Sequence, residues 1–104
     1  MARFDVYANP IAGERRHTPY VLDVQNDHLA PIASRVVIPL RTESGFGAAA
    51  RDLNPTLDVE GRRVVLDTAS IASVNATLLK RPLAHIAQQR SDVMNALDTL
   101  FGSY

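Results

Sequence analysis

The chain has 104 residues, enough for one hydrophobic core and too few for a core plus a separate cofactor module. Eleven basic and eleven acidic side chains are interspersed, so no broad positive field is available to condense on nucleic-acid phosphates, and direct nucleic-acid binding is not expected. Cysteine is absent, which removes disulfides, thiolate chemistry and Cys-based zinc sites together. The opening Met1-Ala-Arg-Phe-Asp-Val6 holds no signal-peptide-like apolar run, and no segment approaches the roughly 20 apolar residues of a membrane span. A cytoplasmic protein forming one domain over residues 1–104 is the expectation.

Phe4 to Ala8 alternates in type before Asn9-Pro10 and predicts a first strand. Residues 11–19 mix Gly13, Glu14, Arg15, Arg16 and His17 without periodicity, as a solvated loop or hairpin tip does. From Tyr20 to Gln25, Leu22 and Val24 share one face and Asp23 and Gln25 the other, predicting a half-buried strand with its acidic side toward water. Val36, Ile38 and Leu40 form another apolar face, and Pro39, which has no N–H for a ladder, suggests an edge, a bulge or an outward-facing nitrogen.

Ala48-Ala-Ala50 suggests a helical turn cut short by Asn54-Pro55. Leu57 and Val59, then Glu60-Gly61, then Val64-Val-Leu66 predict a hairpin whose glycine supplies positive φ. Thr68 to Val74, small and β-branched, suggests a further strand. Beyond Leu83 the period changes: Ile86, Arg90, Met94, Leu97 and Phe101 follow the four-and-three spacing of an amphipathic helix over 83–101, with Pro82 placed to start it and Gly102 to end it. Strands followed by one late helix imply an antiparallel sheet with the helix laid against it.

No catalytic set emerges. His17, His28 and His85 lie far apart without helical ligand spacing, so neither metal nor cofactor is expected. Gly45-Phe-Gly47 lacks a dinucleotide fingerprint and reads as a bend. Asp23, Asp27, Asp58 and Asp67 read as solvent-facing residues of strands and turns rather than as an acid–base pair. Two aromatics, Phe101 and Tyr104, fall within the last four residues. Burial is expected for Phe101, while for Tyr104 docking on a second chain and free solvation both stand.

In order, Phe4-Asp-Val-Tyr7, Val21-Leu-Asp-Val-Gln-Asn-Asp27, Arg35-Val-Val-Ile-Pro-Leu40 and the terminal helical segment Ser91 to Phe101 resemble the CcdB family of bacterial toxins over nearly the whole chain. The resemblance implies a mainly β fold, an SH3-like antiparallel barrel with a small additional sheet and one C-terminal α-helix, assembled as a homodimer. It implies a toxin of a type II toxin–antitoxin module, a DNA gyrase inhibitor that binds DNA gyrase A and traps its cleaved complex with DNA, with no catalysis of its own. The cognate antitoxin is implied to bind an overlapping surface through an acidic, flexible tail.

Carried onto this chain, the implied gyrase-binding residues are Phe101, Gly102, Ser103 and Tyr104 with Asn26, His28 and Leu29. The implied antitoxin-binding residues are Asn26, His28, Leu29 and Asn95, joined by the basic pair Arg15 and Arg16. Asp98, Phe101 and Gly102 are implied at the dimer interface. The tail departs from the family, whose gyrase-poisoning members end in a Phe-Trp-Gly-Ile type sequence, whereas here Leu100-Phe-Gly-Ser-Tyr104 contains no tryptophan. Two alternatives stay open: an endoribonuclease toxin like MazF and Kid, which share the barrel, and a non-toxic relative that keeps the dimer and the antitoxin.

Overall fold

Strand β3 (Ser34–Thr42) organises the protein, because both of its edges and both of its faces are used. In the computed structural model, which describes residues 1–29 and 31–102, β2 (Tyr20–Asp23) lies along one edge of β3 in the register Leu22 to Ile38. The other edge is shared. β5 (Arg62–Leu66) pairs with residues 40–42, and β6 (Ala72–Asn75) pairs with residues 34–37. β4 (Thr56–Val59) extends the sheet beyond β5, while β1 (Asp5–Ala8) and then β7 (Ala84–His85) extend it beyond β2. All pairings are antiparallel.

The sheet curls into a nearly closed, SH3-like barrel around Val6, Leu22, Ile38, Leu40, Leu57, Val64 and Leu66. Its two ends are joined by a side chain. Gln89, just beyond β7, accepts from the Asp58 backbone N–H at 2.9 Å and donates to the Asp58 carbonyl at 2.7 Å, satisfying one residue of the β4 edge much as a strand would.

The hairpin expected at Glu60-Gly61 forms as a two-residue reversal between Val59 and Arg62. Both central residues have positive φ, 50° and 86°, the combination that matches strand twist in tight hairpins. The expected faces of β3 are also present, with Val36, Ile38 and Leu40 against the main core. Pro39, however, lies inside the most central strand. Its carbonyl accepts from Asp67 N–H, so its nitrogen points to the same side, where β5 departs and β6 has not yet begun. The missing donor falls in the gap between two partner strands.

The last third of the chain differs from expectation. The helix α2 spans Arg90–Phe101, about 18 Å long, and residues 83–89 are not part of it. Leu83 N–H donates to the Val6 carbonyl and Ile86 N–H to the Phe4 carbonyl, and Ala84–His85 pair with β1. The open edge of β1 takes these backbone groups in preference to a longer helix, and Ile86 is buried from the strand side. Val93 and Ala96 carry the buried face of α2, with Met94 and Leu97 half-buried. The helical turn expected at Ala48–Ala50 occurs earlier, as α1 (Glu43–Phe46), because Thr42 caps it by accepting from Gly45 N–H at 3.0 Å. Thr68–Ser70 form a 3-10 turn ahead of β6, so only the second half of the expected strand is extended.

A further correction concerns the outward face of β1–β3. The residues after β6 fold back over it, and Tyr7, Val21, Val37 and Leu79 pack as a second core. Asp23 is therefore fully buried rather than solvent-facing, and Arg35 is buried beside it. Arg35 Nε donates to Asp23 Oδ2 at 2.8 Å, and Nη2 lies 2.7 Å from the same oxygen without hydrogen-bond alignment. Asp67 is likewise buried, paired with Arg41 at 2.6 Å and accepting from Ser70 Oγ at 2.7 Å.

Candidate partner-binding surface

Exposed apolar side chains need an explanation when they stand where a partner could cover them, and the end of α2 offers the clearest case. Phe101, for which burial was expected, is 70% exposed. The helix turns Val93 and Ala96 inward, and Phe101 falls past the barrel, on a turn that the shortened helix carries beyond the core. Gly102 ends the helix with φ 74°, a conformation that costs glycine nothing, and donates its N–H to the Asp98 carbonyl at 2.8 Å. Asp98 and Asn95 are both exposed on the last turns, and the Asn95 carbonyl accepts from Thr99 Oγ1 at 2.8 Å. These residues form one continuous helix-end surface. Ser103 and Tyr104, expected to belong to it, lie outside the described residues.

The loop after β2 forms a second part. Asn26 Oδ1 accepts from the His28 backbone N–H at 2.9 Å, an Asx turn that leads into a 3-10 turn over Asp27–Leu29. Asp27 accepts from the Arg3 backbone N–H at 2.8 Å. Asn26 and His28 are exposed, and Leu29 keeps 46% of its surface in water. Arg3 ties this loop to α2: its Nε donates to the Val24 carbonyl at 3.1 Å and its Nη2 reaches the Met94 sulfur at 3.3 Å. Met94 precedes Phe101 by seven residues, about 10 Å along the helix, so the loop borders the first half of α2 and the exposed aromatic sits roughly two turns further on.

Arg15 and Arg16 are not brought to this surface. They belong to the β1–β2 connection, at the Ala8–Tyr20 end of the hairpin, whereas Asn26 to Leu29 leave β2 from its Asp23 end. Arg15 spends its Nε on the Asn9 carbonyl at 2.6 Å, and Arg16 borders a separate hollow with His17 and Arg41.

Two polar groupings were not legible as sites. The Asp23–Arg35 pair is one: burial pushes the Asp23 carboxyl up from its usual range, against the lowering pull of the Gln25 N–H and of Arg35. The same buried layer pushes the Tyr7 phenol up to about 12, chiefly through desolvation and then through the charges of Asp5 and Asp23. The other is a cleft of about 380 Å³ beside the Asn26–His28 loop, to which Arg3, Phe4, His85 and Arg90 also contribute. His85 Nδ1 lies 2.8 Å from Asp5 Oδ1, a pairing across the β1–β7 ladder that helical spacing could not reveal. Among the described residues no group of three or more His, Asp or Glu side chains is placed to hold a metal ion, and no helix is long and apolar enough to cross a membrane.

No individual curated protein matches the chain. The family model described as CcdB protein matches residues 3–102, which includes every strand, α2, the Asn26–Leu29 loop and the exposed helix end. With the SH3-like barrel and the single C-terminal helix already in place, that match over nearly the whole length shows that the chain belongs to the CcdB family.

Proposed function

We propose that this protein is the toxin of a type II toxin–antitoxin module, that it acts in the cytoplasm as a homodimer on DNA gyrase A, and that an antitoxin with an acidic tail silences it. Family membership supports a toxin-like function in such a module. The observation that carries the finer reading is Phe101, a large aromatic side chain left 70% in water at the end of a helix whose Val93, Met94, Ala96 and Leu97 pack against the core.

In this reading Phe101 and Gly102 of both protomers, with Ser103 and Tyr104, form the contact with gyrase, and Asp98 stands beside the twofold axis. Asn26, His28 and Leu29 border the same surface, and the antitoxin covers them together with Asn95. The protein performs no chemistry. It holds the cleaved gyrase–DNA state because it binds that state more tightly than the resealed one, and a ligand shifts an equilibrium only by such a difference in affinity. An aromatic ring at position 101 can take a guanidinium on its face, a contact worth about 0.5–2 kcal/mol according to its desolvation.

The test is plasmid cleavage by purified gyrase with increasing amounts of the protein. Linear, cleaved DNA should accumulate and supercoiling should fall, and co-addition of the antitoxin should reverse both. Unchanged cleavage and supercoiling with the protein in large excess over gyrase would reject the reading. Degradation of single-stranded RNA by the same preparation would favour the endoribonuclease alternative.

A further inference from the structure

The chain between β6 and β7 has one route. β6 lies beyond β3 and β7 beyond β1, so residues 76–83 cross the outward face of β3, β2 and β1, a path of four strand spacings or about 19 Å along the sheet. Seven residue steps reach about 23–25 Å when fully extended, and Ala76–Leu78 spend part of that reach on a 3-10 turn. The segment is a strap with little slack.

Its attachments are few. Ala76 N–H donates to the Ala33 carbonyl at 2.8 Å at one end, and Leu83 N–H to the Val6 carbonyl at 2.7 Å at the other. Between them, among the described residues, the backbone bonds only within the strap and to the Asn75 side chain that caps its turn. Leu79 alone is buried, against Tyr7, Val21 and Val37, while Thr77, Leu78 and residues 80–83 are exposed. β6 is held to β3 by four residue pairs and β7 to β1 by two, so the β7 end is the one that yields first.

What the strap covers opposes its closure. In the buried layer beneath it, Nε carries the one aligned hydrogen bond of the Arg35 guanidinium among the described residues, and the buried Nη2 has none. The Tyr7 hydroxyl reaches Asp5 Oδ2 only at 3.4 Å. Buried charges and donors short of partners regain water when the cover lifts, whereas closure returns the burial of Leu79 and the two-residue β7 pairing with its 2.8 Å contact between His85 and Asp5. We propose that residues 77–85 open as one unit, hinged at Ala76 and at Ile86, which stays in the main core, while the barrel remains folded. The open form bares the β1 edge and the Asp23–Arg35 pair together, a surface that the closed form hides. This device goes beyond the toxin reading and does not rest on it.

The test is native-state amide hydrogen exchange of the full chain, followed by NMR at low urea concentrations. The Leu79 and Leu83 amides should exchange about tenfold or more faster than the β2–β3 ladder but slower than a free chain, and with a smaller urea dependence, because opening exposes less surface than unfolding. Ile38→Val, in the main core, should speed the ladder about threefold or more and leave the strap unchanged, and Leu79→Ala should speed the strap about tenfold or more. Asp23→Leu combined with Arg35→Met should slow the strap about fivefold or more, since no charge beneath it then gains water. The proposal is overturned if the strap exchanges at the ladder's rate and responds to Ile38→Val as the ladder does, if it exchanges like a free chain in the parent protein, or if the double replacement leaves its rate unchanged.

Discussion

Replacing Phe101 with alanine separates folding from partner binding, because the two draw on different parts of the same side chain. A phenylalanine carries about 200 Å² of surface. Since 70% of it is exposed, roughly 140 Å² awaits cover by a partner and about 60 Å² is engaged within the chain. At about 25 cal/mol per Å² the intrachain part contributes at most about 1.5 kcal/mol to folding. The exposed part can contribute up to about 3.5 kcal/mol per protomer to binding, a factor of a few hundred. Phe101→Ala should therefore melt within a few degrees of the parent, yet need at least tenfold more protein to produce the same cleavage by gyrase. Thermal unfolding followed by circular dichroism and a cleavage titration on supercoiled plasmid measure the two effects. A core-like loss of about 3 kcal/mol or more in stability, or an unshifted cleavage curve, would refute the division of roles.

Three other expectations concern the buried layer and the closure of the barrel. Arg35→Met should cost about 3–5 kcal/mol in denaturant unfolding, because it leaves Asp23 buried without its partner, and Asp23→Leu combined with Arg35→Met should recover most of that loss. Because burial already raises the Asp23 carboxyl, the neutral form is the better tolerated one, so the Arg35→Met deficit should shrink as pH falls through the carboxylate range; a deficit independent of pH would contradict this. Tyr7 favours its neutral form in the fold, so its contribution is complete below the ordinary value of 10.0 and is lost as pH rises toward about 12, and ultraviolet titration should show one of the three tyrosines ionising last, together with unfolding. Gln89→Ala should speed amide exchange at Asp58 and along β4, at a cost of about 1–3 kcal/mol, since the edge loses both of its bonds to that side chain.

Local chemistry was legible wherever one stretch of chain decides its own conformation. Glu60-Gly61 names its turn through the positive φ it requires, Leu57 and Val59 alternate as a half-buried strand must, and Gly102 marks the helix end. The order of motifs from Phe4 to Phe101 carried the family resemblance, and with it the barrel and the terminal helix. The Asn26–Leu29 loop and the helix-end residues were named through that resemblance, whereas the periodicity by itself put Phe101 in the core, and it is exposed.

What depended on distant partners was decided only by the tertiary structure. Residues 83–89 have helical periodicity, but the unpaired edge of β1 offers backbone bonds that an isolated helix cannot, so they became strand and turn, and Phe101 was left outside. Asp23 alternates like a solvent-facing residue, yet the segment after β6 folds over it, and the charge is met by Arg35, twelve positions away. Arg3 and Arg90 are separated by most of the chain and share the Phe4 ring only because β7 returns to β1. Sequence periodicity reports which face of an element is apolar; whether a second layer covers the other face is settled by contacts between segments that the linear order keeps apart.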